Sequence, residues 1–135
     1  MAMTLLTGGK AGPNAKQASA FIATLLHGVT KLHMLHLMTK GPQWYPTHIA
    51  LGELYDGLDG LADGLAESFM GCSGVDLAFA GGPFEFTADP LTEVRALYDY
   101  VEGNRQAMGP ESHIQNEIDT ICTLLATGIY KLTRV

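Results

Sequence analysis

The sequence has none of the segments that would direct it into or across a membrane. No apolar run approaches the ~20 residues that a transmembrane helix needs, and the N-terminal residues lack the charged and then apolar pattern of a signal peptide. Cysteine is scarce as well, with 2 in 135 residues. In a helical, unsecreted chain we expect Cys72 and Cys122 to be free thiols, with a disulfide between them as the alternative. These absences favour a cytoplasmic protein.

Basic residues are also few, which bears on nucleic-acid binding. The chain has 8 lysines and arginines against 14 aspartates and glutamates, for a net charge of −6. Tails that bind DNA neutralise its phosphates with Lys and Arg. This chain offers Lys10 and Lys16 towards its N-terminus and Lys131 and Arg134 at its C-terminus. The charge balance therefore disfavours DNA binding and favours cations as partners.

Apolar residues recur at steps of three and four in four segments, which is the period of an amphipathic helix. The first predicted helix covers about 14 to 39, and the second begins near Pro46. The third starts with Asp89 as N-cap and Pro90 at the first helical position, and Gly109 and Pro110 separate it from the fourth. The predicted core positions are Ile22, Leu25, Val29, Leu32, Leu54, Leu58, Leu61, Leu65, Phe69, Leu91, Val94, Leu97, Val101, Ile114, Ile118, Ile121, Leu125, Ile129 and Leu132.

The connections between these helices indicate how the bundle is wound. A chain of this size supports one domain, so we predict a short tail over 1–13 and a single domain over 14–135. The connection over about 71 to 88 is too long for a tight antiparallel turn. A long crossover between the second and third helices is what a ferritin-like four-helix bundle requires. The sequence therefore predicts an all-α, ferritin-like fold.

Four residues form the candidate metal site: His36, His48, Asp63 and Glu67. Two imidazoles and two carboxylates make a mixed nitrogen and oxygen ligand set that suits ferrous iron or zinc. The short break between the first two helices lets His36 and His48 approach each other, and Asp63 and Glu67 lie one turn apart on one face. On a continuous helix, however, His48 and Asp63 are roughly 22 Å apart. One chain therefore cannot bring all four to one metal ion.

A second copy of the chain resolves this separation. If the second helix packs antiparallel against its own two-fold mate, Asp63 and Glu67 of one copy face His36 and His48 of the other. The operation is symmetric, so the dimer has two equivalent sites on one interface, on the order of 20 Å apart. The sequence therefore predicts a homodimer as the smallest metal-binding unit. An intrasubunit di-iron centre is the poorer interpretation, because such centres usually need Glu-x-x-His pairs and this sequence has none.

The segment from His36 to His48, HLMTKGPQWYPTH, resembles the ferroxidase motif of Dps-type miniferritins, the DNA-protection-during-starvation family of the ferritin-like superfamily. The spacing of the two histidines, the Lys-Gly-Pro between them, and Asp63 with Glu67 downstream all fit that motif. The resemblance is close over about residues 27 to 70. The C-terminal half agrees with the family in the order of its helices but contains no family motif.

The resemblance implies a fold, an activity and an assembly. The subunits would form a hollow dodecamer in which Fe(II) is oxidised by peroxide, or by O2, and stored as ferric mineral, as in proteins of the oxidative-stress response. His36 and His48 would be ligands from one subunit and Asp63 and Glu67 ligands from its neighbour. The resemblance also implies a short helix at Val75 to Ala80, inside the long connection.

Two positions depart from the family pattern. Leu37 stands where a tryptophan usually follows the first ligand histidine, while Trp44 lies in the hairpin. Gly52 stands where an acidic residue often follows the second histidine, so a second iron position is harder to argue. The missing tryptophan and the low charge density of the tails leave room for another function, a structural protein whose zinc clamps the dimer without turnover.

Other residues near the site have two interpretations each. Glycines recur along the second helix, and each costs about 1 kcal/mol relative to alanine. They allow close contact either between two copies of this helix, which is the preferred interpretation, or with the first or third helix of the same chain. His33, one turn before His36, could join a metal site, but a packed core histidine is the preferred interpretation. Trp44 and Tyr45 could scavenge radicals or anchor the hairpin. The glycines are Gly52, Gly57, Gly60 and Gly64.

Overall fold

Four α-helices make up most of the protein in a computed structural model that describes residues 14–135. The helices are α1 (Ala15–Met38), α2 (Trp44–Ser73), α3 (Pro90–Asn104) and α4 (Ser112–Leu132), with a 3₁₀ turn at Arg105–Met108. Residues 14–135 contain no β-strand. The all-helical prediction is therefore confirmed, whereas the predicted tail over 1–13 lies outside the described residues.

The helices pack around one apolar core. Helix α1 packs against α2 and α3, and α4 packs against the same two helices. Most of the predicted core positions are buried, and the exceptions Val29, Leu61, Leu91 and Ile129 are partly buried at its edge. Burying such side chains provides the main stabilisation of an amphipathic bundle.

Capping side chains account for where α1 and α3 begin. The Asn14 side chain accepts hydrogen bonds from the backbone N–H groups of Lys16 and Gln17, at 2.8 and 3.1 Å. Asp89 caps α3 through the N–H of Thr92, with Pro90 as the first helical residue, as predicted. Helix α2 begins at Trp44, two residues before the predicted start. Pro46 is tolerated inside it because the first-turn N–H groups have no helical partner.

The connection between α2 and α3 is irregular throughout, so the predicted short helix at Val75 to Ala80 is wrong. Gly74 ends α2 with a φ of 72°, and its N–H donates to the Met70 carbonyl. The N–H of Ala78 then donates to the buried hydroxyl of Ser19 on α1 at 2.9 Å. This bond attaches the connection to α1. The N–H of Ala78 has no helical carbonyl to bond to, and a side chain of α1 satisfies it instead.

Gly128 marks the closest approach of α2 and α4. A Cβ atom added there would overlap Leu54, including its Cγ at 2.8 Å. We expect Gly128→Ala to lower the free energy of unfolding by about 2 kcal/mol, because overpacking outweighs the ~1 kcal/mol that alanine adds in helix propensity. Thermal unfolding followed by circular dichroism checks this. Gly103→Ala is the control, since no described residue has an atom within 4 Å of its Cβ position, and its unfolding temperature should not fall.

Candidate metal centre

The structure brings His36 and His48 into direct contact. His36 lies in the last turn of α1 and His48 in the second turn of α2, and residues 39–43 connect the two helices. The imidazole rings are stacked with their centroids 3.6 Å apart and their planes at 18°. Both side chains are half-buried. The prediction that the hairpin joins these two histidines is therefore confirmed.

Each of the two histidines is fixed by a hydrogen bond to the backbone of the other. The Nδ1 atom of His36 lies 2.7 Å from the His48 carbonyl oxygen, and the Nδ1 atom of His48 lies 2.8 Å from the His36 carbonyl oxygen. A carbonyl oxygen can only accept, so both Nδ1 atoms carry the hydrogen and donate it. In the neutral rings both Nε2 lone pairs are then available to a metal ion. Metal-binding histidines commonly have this arrangement, in which the other ring N–H is bound to a carbonyl.

Aromatic rings extend the histidine pair on both sides. The rings of Tyr55 and His36 have their centroids 5.2 Å apart and their planes at 71°, and His33 stacks on the Tyr55 ring with a centroid distance of 4.1 Å. Trp44 approaches His48 at 5.5 Å and 61°. His33 is exposed, so its interpretation as a core histidine is wrong. Sequence reasoning missed Tyr55, although its position seven residues after His48 places it two helical turns further on the same side of α2.

Asp63 and Glu67 form a separate pair further along α2. Both are exposed, and they lie one helical turn apart. Helix α2 is continuous from Trp44 to Ser73, so the rise of the helix separates His48 from Asp63 by roughly 22 Å. Within residues 14–135 no three His, Cys, Asp or Glu side chains are close enough to hold a metal ion. One chain therefore presents the two predicted halves of the site without uniting them.

The two halves lie on neighbouring faces of α2. Fifteen residues separate His48 from Asp63, which is about 4.2 helical turns, so the two positions differ by about 60° of rotation about the helix axis. The residue after each histidine is an exposed apolar one: Leu37 has 70% of its surface exposed and Ile49 has 42%.

The glycines of α2 fall into two groups: two lie against side chains of the same chain, and two do not. A Cβ atom at Gly52 would meet the His36 ring of α1, and one at Gly57 would meet Leu124, so these two glycines serve packing within the chain. The partner of Gly57 is α4, and not the first or third helix that the sequence predicted. No atom of residues 14–135 lies within 4 Å of the Cβ positions at Gly60 and Gly64. The described residues therefore give no packing reason for the latter two.

The cysteines lie outside this site. Both Cys72 and Cys122 are free, the first exposed and the second buried, which confirms the preferred prediction. Burial, followed by the charge and hydrogen bonding of the Glu102 carboxylate, raises the pKa of the Cys122 thiol to about 11. A thiol that stays protonated at neutral pH is a poor nucleophile and a poor metal ligand.

One protein family matches most of the chain. Its description is "Family of unknown function (DUF5856)", and the match covers residues 36–132, which includes all four candidate ligands. No curated protein and no solved structure matches the sequence. In the described part of the chain, no helix is both long and apolar enough to cross a membrane.

Proposed function

The chain belongs to the DUF5856 family, whose function is unknown, and we propose that it is an iron-oxidising and iron-storing miniferritin of the Dps type. Fe(II) is its substrate, peroxide or O2 is the oxidant, and the ferric product is stored inside a hollow dodecameric shell. The observation that carries the proposal is the His36 and His48 pair. Its reciprocal Nδ1 hydrogen bonds leave both Nε2 atoms free on one short hairpin.

The donor set fits iron. Imidazole nitrogen and carboxylate oxygen together bind Fe(II), and carboxylates also stabilise the harder Fe(III) product. His36 and His48 of one subunit would bind the ion together with Asp63 and Glu67 of a second copy. Each peroxide molecule takes up two electrons, one from each of two Fe(II) ions, and with two protons gives two molecules of water. Hydrolysis of the ferric product then releases protons as mineral forms.

The order of helix contacts supports a ferritin-like connectivity. Helices α1 and α2 form one packed pair and α3 and α4 another, while α1 also packs on α3 and α2 on α4. Residues 74–89 join α2 to α3, a length that suits a crossover rather than a hairpin. This arrangement leaves the outer side of α1 and α2, which bears both halves of the site, free to face another copy.

A two-fold dimer is the assembly that completes the site. An antiparallel pair of α2 helices places the histidine pair of each copy against the acidic pair of the other, and the symmetry produces two sites. Such a dimer would also cover Leu37 and Ile49 and give Gly60 and Gly64 a neighbour. The negative charge of the chain would concentrate iron at the surface and disfavour DNA as a partner.

The experiment that tests this function is anaerobic Fe(II) loading of the purified protein followed by peroxide. Ferric absorbance would follow oxidation while light scattering measures particle size. We expect oxidation well above the rate of iron alone, with the iron retained on a dodecamer-sized particle. His48→Ala should abolish the fast phase without dissociating the particle. Oxidation of the variant at the wild-type rate would contradict the site.

One observation favours a second function, a zinc-clamped structural dimer. Gly52 leaves no carboxylate one turn after His48, so the completed site would have two nitrogen and two oxygen ligands. Four protein ligands without an open position are typical of structural zinc. In that case chelation would dissociate the dimer, and the Fe(II) experiment would show no faster oxidation than iron in buffer.

A further inference from the structure

Gly52 lies directly against the His36 imidazole. A Cβ atom built on Gly52 would be 3.2 Å from Cε1 and 3.4 Å from Nδ1 of that ring. Contacts this short are tighter than most that real Cβ atoms make, so a side chain at position 52 would require the ring to move. Whether the ring can move depends on what holds it on its other sides.

The ring of His36 has little freedom to give way. Its Nδ1 is bound to the His48 carbonyl at 2.7 Å, and in an α-helix that carbonyl is the one facing the N–H of Gly52, four residues on. A shift away from Gly52 therefore lengthens this bond. The ring also stacks on His48 at 3.6 Å and meets the edge of Tyr55 at 5.2 Å.

We propose that Gly52 is a positioning residue of the metal site: its missing side chain lets the His36 ring lie against α2 and so fixes Nε2 beside the His48 ring. Cε1 is bonded to both ring nitrogens, so a group that presses on Cε1 displaces Nε2 as well. With no ligand of its own at position 52, the histidine pair takes one metal ion per chain. This inference rests on the proposed metal site.

The test compares two alanine variants of the same helix. Gly52→Ala and Gly57→Ala each add a Cβ atom with a nearest contact of 3.2 Å, the first to His36 and the second to Leu124. Anaerobic titration with Co(II) alone, followed by calorimetry and by the visible spectrum of the ion, measures affinity and stoichiometry. We expect one Co(II) per wild-type chain, about tenfold weaker binding in Gly52→Ala, and wild-type affinity in Gly57→Ala.

A second measurement addresses the ring itself and needs no metal. Long-range ¹H–¹⁵N NMR spectra should show His36 with its hydrogen on Nδ1 in the wild type and in Gly57→Ala, and a mixture of tautomers in Gly52→Ala. Alanine is the better helix former, so both variants should fold, which circular dichroism would check.

The outcomes separate this inference from the proposed function. If the wild type binds Co(II), and Gly52→Ala binds it equally well or Gly57→Ala loses as much affinity, Gly52 does not position the ligand and the metal site itself stands. If the wild type does not bind Co(II) at all, the proposed function and this inference both fail. Two Co(II) ions per chain would overturn the single-ion stoichiometry.

Discussion

Two variants that are each inactive should recover iron oxidation when they are mixed as subunits of one dimer. The first, His48→Ala, lacks part of the histidine pair, and the second, with Asp63→Ala and Glu67→Ala, lacks the acidic pair. In the mixed dimer one site combines both defects, whereas the other combines the intact histidines of one chain with the intact carboxylates of the other. The site with intact histidines and intact carboxylates is complete, so one of the two sites in each mixed dimer should oxidise Fe(II).

The expected yield follows from the symmetry. Random pairing makes about half of the dimers mixed, and each carries one intact site, so about a quarter of the wild-type activity should return. Co-expression with two different affinity tags and a peroxide-driven Fe(II) assay would measure it. Mixing His36→Ala with His48→Ala is the matched control, since both defects lie in the histidine pair and no complete site can form. Recovery in the control, or none in the first mixture, would exclude a shared site.

The sequence predicts those parts of this structure that depend on local chemistry. Asp89 and Pro90 define the start of α3 because a capping carboxylate and a fixed φ are properties of the residues themselves. The contact between His36 and His48 follows similarly from a short connection between two helices. The helix periods also predicted most of the core, since a buried face repeats every three to four residues.

The features that the sequence did not predict depend on contacts between distant residues. The irregular path after Gly74 involves the Ser19 hydroxyl of α1, 59 residues before Ala78 along the chain. The close fit of Gly52 against His36 is also invisible in sequence, where a helical glycine is only a cost in propensity. Tyr55 belongs to no metal-ligand motif and enters the site through ring packing alone. Such contacts become apparent only when the helices are placed side by side.

A large side chain at Gly60 would test the proposed interface between two α2 helices. Gly60 has open space at its Cβ position and lies three residues before Asp63 on the outer side of α2. We expect Gly60→Leu to abolish both dimer formation and Co(II) binding while the chain keeps its fold. Leucine is a better helix former than glycine by nearly 1 kcal/mol, so thermal unfolding should occur at the same or a higher temperature. Analytical ultracentrifugation would report the dimer and calorimetry the metal.

In the proposed dimer, the expected loss is large because the charged residues beside Gly60 already oppose the contact between two α2 helices. Asp56 and Asp59 are exposed beside Gly60, and a two-fold contact brings these like charges towards their counterparts, which opposes association. In the proposed dimer, the close approach that glycine permits would offset that repulsion, and a leucine side chain would hold the helices apart. Gly71→Leu is the control, since Gly71 is equally open on the same helix but lies beyond the acidic pair. If Gly60→Leu remains a dimer and still binds Co(II), the carboxylates reach the histidines by some arrangement other than paired α2 helices.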